Sequence, residues 1–497
     1  MPERLILILG DSLFPNHQAL KLDNKCLVFM AEEWELCRHY KYHKQKLVFF
    51  LSAMRHHAQI LEEDYQLVYQ RLSAQADSNN YFNYLDDLLA KYPTIKQLET
   101  YVIEDSFFEK DLKEWGTKNN LPIIFKSSPK FLFTEDDFKG YLAKSKKPLL
   151  YQYYQQKRKD LKILLDQDGK PLGGKWSLDD ENRKKLPKNI GIPANTLFNA
   201  DKIDEEVIAE VAEKFNDHPG ELSTYQWQTT RAGALQVLES FLEQKLNNFG
   251  PYEDAFEADQ VFLFHSTLSP YLNIGMLLPQ EVLNAVLAKF SPESSHLPSY
   301  EGFIRQLIGW REFMRGMYRN FDFRTNHFGL QRKMNDAWYK GTTGIPPLDD
   351  AIKKVQNYAY NHHIERLMVL GNAMLLCGLH PDEVNRWFME MYIDSADWVM
   401  EPNVYGMSQY AAGDLFATKP YIAGSNYLRK MSHYPQGDWC DIMDGLYWRF
   451  IDEHRPTFAA NPRMAFMLKN LDKMDLQKRE RIFTAAADWQ EKVSYLE

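Results

Sequence analysis

Four groups of residues in this chain have the types and spacing to do chemistry. In the first, His265-Ser266-Thr267-Leu268-Ser269 runs into Pro270-Tyr271-Leu272-Asn273. Hydroxyls crowded at a loop-to-helix junction suit phosphate oxygens, because backbone N–H groups and the helix dipole point the same way; a plain Ser/Thr cap would use the same residues. In the second, His362-His363-Ile364-Glu365-Arg366-Leu367-Met368 continues to Gly371-Asn372. On a helix His363, Arg366, Leu367 and Leu370 share a face, presenting an acid–base imidazole beside a guanidinium. Adjacent histidines diverge on a helix and no HExxH accompanies them, so no metal is expected there. In the third, Trp387 to Asp394 leads through Asp397-Trp398 to Asn403 and Met407. Carboxylates set among Trp, Tyr and Met are costly to bury unless something binds them, and a flavin with its ribityl chain would satisfy them. In the fourth, Gly10-Asp11-Ser12 follows the apolar run Leu5–Leu9, where Asp11 either caps a helix or faces a ligand at a strand end.

These groups need a large scaffold. At 497 residues and 58.5 kDa, two domains are expected. A composition 44% hydrophobic and 26% charged excludes disordered and collagen-like classes. The runs Leu5–Leu9, Cys26–Met30, Leu47–Leu51, Tyr65–Tyr69, Tyr101–Glu104 and Pro122–Phe125 read as strands alternating with helices, which implies a parallel sheet over residues 1–133. Residues 134–219 read as a connector, in which Lys144, Lys146, Lys147, Lys157, Arg158 and Lys159 surround Tyr151, Tyr153 and Tyr154. That mixture suits nucleic acid, or else a solvated basic helix. Residues 220–497 read as all-α, with helices over Thr230–Leu246, Glu281–Lys289, Tyr300–Tyr318, Pro347–Cys377, Pro381–Met391 and Pro462–Leu471. The net charge of −9 excludes a histone-like basic coat, yet eight basic residues from Arg305 to Lys340 face only Glu312, Asp322 and Asp336, a locally basic stretch open to nucleic acid. The four cysteines, Cys26, Cys37, Cys377 and Cys440, form no CxxC pair and fit a reducing cytoplasm. The first apolar run ends at Gly10-Asp11, too short for a signal or membrane span.

HSTLSPYLNIGML, RQLIGWREFMRG, YNHHIERLMVLGN, DWVMEPNVYGMSQYA and TKPYIAGSNYLRKMS, together with LILILGDSL, LVFFLSAMRHHA and GGKWSLDDENR, resemble the bacterial deoxyribodipyrimidine photolyase-related proteins, the iron–sulfur cryptochromes and photolyases. The resemblance is colinear over nearly the whole chain. It implies the photolyase/cryptochrome fold: a Rossmann-like α/β antenna domain and an all-α domain holding a bent FAD. It also implies light-driven repair of (6-4) pyrimidine photoproducts in UV-damaged DNA, a 6,7-dimethyl-8-ribityllumazine antenna, and a monomer. Carried over by motif, Ser266, Thr267, Leu268 and Ser269 would hold the FAD phosphates; Gln306, Trp310, Arg311, Arg366, Asn372, Asp394 and Asn403 would surround the flavin and ribityl groups. His363, beside His362, would be the lesion-facing proton donor, with Asp259, Met407 and Tyr421 also in the lesion pocket. Asp11 matches the antenna-binding aspartate.

Two departures from the family pattern alter the expectation. Its four cluster cysteines correspond here to Pro347, Pro435, Asp438 and a position near Cys440 or Asp441, so a member without the [4Fe–4S] cluster is expected. In the photoreduction chain Trp387 matches a family tryptophan, but Phe388 replaces a tyrosine and Tyr339 a tryptophan, so electrons are expected to move more slowly or through Tyr392 or Trp398. The competing functions are a cryptochrome-like photoreceptor and a cyclobutane dimer photolyase.

Overall fold

In a computed structural model that describes residues 1–72, 80–291, 295–415 and 417–496, the N-terminal part is built on five parallel strands. They are β1 (Arg4–Leu7), β2 (Cys26–Ala31), β3 (Leu67–Gln70), β4 (Gln97–Tyr101) and β5 (Ile123–Lys126), in the order β3-β2-β1-β4-β5. All of β2 and most of β1 are buried, as strands covered by helices on both faces must be. The strand order reverses between β1 and β4, which opens a crevice at their carboxyl ends.

Two strand expectations need correction. Leu47–Leu51 lies inside the helix α1 (Lys44–Asp64), whose buried positions Leu47, Leu51, Met54, Ala58 and Leu61 recur at helical spacing. A short apolar run cannot by itself be told from a buried helical stretch. The fourth strand lies at Gln97–Tyr101 rather than Tyr101–Glu104 because its polar side chains are buried by pairing. Glu99 binds Arg4 at 3.1 Å, and the Thr100 hydroxyl donates to the Leu7 carbonyl at 2.9 Å.

The helical part is larger. The helix α2 (Leu150–Leu161) packs on α3, residues 297–320, where Gly309 and Gly316 leave room for the rings of Tyr154 and Phe138. Tyr153, Tyr154, Lys157 and Arg158 are buried here, and Arg158 donates to the Leu164 carbonyl at 2.6 Å. These four side chains are therefore part of the packing, while Lys144, Lys146, Tyr151 and Lys159 of the same segment are exposed. Two arginines of the basic stretch are also taken up: Arg315 pairs with Glu104 at 3.2 Å, and Arg319 with Glu109 at 2.7 Å and Glu135 at 3.0 Å, while Arg324 and Lys340 keep more than half of their side chains exposed. These pairs join the two parts of the chain.

The long helix expected at Pro347–Cys377 is broken. α4 (Pro346–Tyr358) stops at Ala359, which adopts a left-handed φ of 52°, and α5 resumes over residues 365–376. α6 (Pro381–Met391) and α7, residues 397–408, follow. Beyond Leu222, one two-residue antiparallel pair, Lys333–Met334 with Ser494–Tyr495, interrupts the helical pattern. Among the described residues no helix is long and apolar enough to cross a membrane.

Candidate functional site

The helical part encloses a cleft of about 1170 Å³. Three walls are π-helical turns: Arg305–Trp310 in α3, Glu365–Gly371 in α5 and Pro402–Ser408 in α7. Such turns are rare and concentrate at functional sites. They present Gln306 and Trp310, Arg366 and Leu367, and Asn403, Val404, Met407 and Ser408 to the cleft. The same winding carries Leu370 into the core, so it does not share the face expected for His363, Arg366 and Leu367.

The fourth wall is the hydroxyl segment. Ser266, Thr267 and Ser269 line the cleft, and Thr267 holds a left-handed φ of 56°. Leu268 and Arg311 line an adjoining lobe instead. The Arg311 guanidinium donates to the Lys130 carbonyl at 2.7 Å and lies 4.9 Å from the Trp398 ring centroid; burial lowers its pKa to about 10. Across the cleft Arg366 grips Asp394 at 2.9 and 3.1 Å, and Ser269 donates to the same carboxylate at 2.6 Å. The Arg366 guanidinium also lies 4.0 Å over Tyr392. Asn372 is not a lining residue: its amide is used twice on the Ala423 backbone, both at 3.0 Å.

His363 stands at the cleft edge with its side chain 48% exposed, and its Nε2 lies 3.4 Å from Asp254. Desolvation lowers its pKa, but the Asp254 hydrogen bond and the Glu253 and Asp254 charges outweigh that and raise it above the ordinary imidazole value. His362 is buried, 3.4 Å from Glu365, and burial keeps it neutral. Met407 lines the cleft. Asp259 and Tyr421 do not: Asp259 is exposed beside Asp350, and Tyr421 is partly exposed near Asp179 and Arg183. Sequence reasoning missed Glu253 and Asp254. They come from a loop region without periodicity, and nothing in their local pattern marks them as neighbours of His363.

Phe388 lines the cleft, and Trp387 lies behind it with ring centroids 5.5 Å apart. Trp387 donates to the Trp338 carbonyl at 3.0 Å, and Trp338 meets Trp489 at 6.0 Å. Tyr392 is 5.9 Å from Trp387. Tyr339 donates to Glu390 at 2.6 Å, and Trp398 packs on Phe131 at 5.0 Å in the adjoining lobe.

A second cleft of about 1250 Å³ lies at the crevice predicted by the strand order, between Gly10-Asp11, Asp105 and the helical segment Ile393–Trp398. Asp11 pairs with the buried Lys130. Burial and the Asp397 charge raise the Asp105 carboxyl, burial and the Glu401 charge raise Asp397, and burial lowers Lys46, which donates to the Ser395 hydroxyl at 2.7 Å. Asn273, Asp394 and Trp398 face both this cleft and the lobe beside the first. The cysteines do not converge: Cys26 is in β2, Cys37 lines the second cleft, Cys377 lies 3.5 Å from Ser494, and Cys440 opens another helix.

An FAD fits the first cleft on chemical grounds: hydroxyls for phosphate, a buried ion pair and an amide for ribityl and ring heteroatoms, and apolar walls. The comparisons agree. Residues 6–227 match the deoxyribodipyrimidine photo-lyase-related protein family, and residues 300–478 match the FAD binding domain of DNA photolyase. A "(6-4) photolyase" of Agrobacterium fabrum is 33% identical over 93% of this chain and 94% of its own length. A deoxyribodipyrimidine photo-lyase of Thermus thermophilus is 26% identical over 41% of this chain and 48% of its own. A crystal structure of a bacterial class III photolyase from Agrobacterium tumefaciens superposes with a TM-score of 0.57 at 17% identity, covering 99% of this chain and 98% of that one. The chain belongs to the deoxyribodipyrimidine photolyase-related family of photolyases.

Proposed function

We propose that this protein is a (6-4) photolyase that carries FAD without a [4Fe–4S] cluster. The carrying observation is His363, 3.4 Å from Asp254 at the edge of a cleft whose lining suits a flavin. When bound, the flavin supplies light-driven electron transfer to the lesion. The chain's own residues do the rest. Arg366, fixed by Asp394, and the hydroxyls of Ser266, Thr267 and Ser269 bind and orient the cofactor. The His363 imidazole donates a ring proton to a lesion base flipped to the cleft mouth, and a damaged, poorly stacked base is the least costly to flip. Met407 supplies apolar contact. The dispersed cysteines and the Pro347, Pro435 and Asp438 substitutions support the absence of a cluster. A ribityllumazine in the second cleft, close to Asp11, is the antenna this reading favours.

The test is illumination of the FAD-loaded protein with oligonucleotides carrying a (6-4) photoproduct or a cyclobutane dimer. Restoration of bases in the first alone is expected, and H363N should lower its rate by about 10²-fold or more while keeping the flavin. Repair of the dimer alone would reassign the lesion; repair of neither would favour a photoreceptor.

A further inference from the structure

The hydroxyl segment that walls the cleft has a second chamber behind it. This pocket, of about 390 Å³, is lined among others by Asn195, Gln226, Ser240, Lys245, Ser266 and Thr267, and the last two also line the cleft. One side of it is a fourth π-helical turn, Phe241–Lys245, which directly follows the helix Arg231–Ser240. Like the three turns that shape the cleft, it is a rare winding concentrated at functional sites.

The turn brings Lys245 to the pocket with only 4% of its surface exposed. The ammonium donates to the Asn195 side-chain oxygen at 2.8 Å, and the Asn195 amide nitrogen donates in turn to the Gln226 side-chain oxygen at 3.2 Å. Both of these partners are neutral. Among the described residues no carboxylate pairs with Lys245, and burial alone lowers its pKa, to about 8, so the group is still charged at neutral pH. A buried ammonium without an anion is costly, because one neutral acceptor cannot replace its hydration. Its charge also reaches the cleft wall: burial first, then the charges of His363 and Lys245, keep the His265 imidazole neutral. A compact cation with free donors, set beside hydroxyls, matches the oxygens of a phosphate group.

We propose that Lys245, fixed by Asn195, is the counter-charge for the diphosphate of the dinucleotide cofactor and makes the site select FAD over flavins that lack phosphate. The proposal rests on FAD occupying the cleft, and adds to it a residue and a specificity. Ser266 and Thr267 offer hydrogen bonds from the wall shared by the two chambers, and Lys245 supplies the charge. Asn195 belongs to the segment between the two parts of the chain, so that segment helps to hold the cofactor.

In the experiment, wild-type, K245M and K245Q proteins are loaded with FAD or with riboflavin, and each dissociation constant is read in the dark from the flavin fluorescence released on dilution. Both variants, checked by circular dichroism, should weaken FAD at least about tenfold and riboflavin by less than about twofold. Unchanged FAD affinity, or equal losses for the two flavins, would overturn the proposal. If neither variant folds, competition in the wild-type protein decides: inorganic pyrophosphate should raise the apparent dissociation constant of FAD and leave that of riboflavin unchanged, and equal effects or none would overturn the proposal. A wild-type protein that retains neither flavin would instead count against FAD in the cleft.

Discussion

The charge state of His363 is set by its neighbours, so it can be moved without touching the ring. Asp254→Asn removes the hydrogen bond and charge that raise its pKa. The imidazole must be protonated to donate, so repair fails as pH rises through its pKa. In D254N that alkaline limb should begin at a lower pH while the flavin spectrum stays unchanged; coincident pH–rate profiles would exclude Asp254 as the group that holds the proton. Asp394→Asn acts on the opposite wall. It leaves the Arg366 guanidinium partly buried without its bidentate partner, and removing one member of a buried pair costs about 3 kcal/mol. Loss of flavin on gel filtration and a lower urea midpoint are expected. His363, Arg366 and Asp394 were legible in the sequence because each sits in a dense run of chemically distinctive residues. Asp254 was not, since its role arises from tertiary proximity between distant loops.

At the scale of elements, helix and strand order followed from hydrophobic periodicity, and α6 falls where the pattern put it, at Pro381–Met391. What periodicity missed were changes of winding. A π-helical turn and an α-helical turn have similar residue preferences, so the three turns that shape the cleft leave no mark in the pattern. Nor does the halt at Ala359. Packing between elements offers a sharp check. A Cβ at Gly316 would run into the Phe138 ring, which is buried and cannot swing away. G316A should therefore cost about 1–3 kcal/mol, read as a lower urea midpoint, and should loosen the 135–161 segment in hydrogen exchange. Trp387 and Tyr392 both stand behind Phe388, with ring centroids 5.5 and 5.3 Å from it. W387F should sharply slow flavin photoreduction, and unchanged kinetics would route electrons elsewhere.

Across the whole molecule, local charge sums leave out distant partners. The arginines between residues 305 and 340 suggested a nucleic-acid face, yet Arg315 and Arg319 neutralise Glu104, Glu109 and Glu135 across the seam between the α/β and helical parts. A window sum cannot include partners two hundred residues away. The same seam carries Glu312, whose carboxyl accepts from the Leu132 and Phe133 N–H groups at 3.0 and 3.3 Å. Burial pushes its pKa up to about 7. The folded state therefore binds a proton there that the unfolded chain releases above the ordinary carboxylate range. This group's contribution to stability is full at lower pH and declines as pH rises from about 4.5 to 7, by at most about 1.4 kcal/mol per unit. E312Q should flatten that part of the profile of urea midpoint against pH, and parallel profiles for the two proteins would refute it.

The partition formed by Asn273, Asp394 and Trp398 is one side chain thick and serves two clefts at once. A guest in either chamber that fixes those side chains lowers the ordering cost for a guest in the other. The two sites should therefore load cooperatively, and by thermodynamic reciprocity the gain in affinity is the same factor whichever guest arrives first.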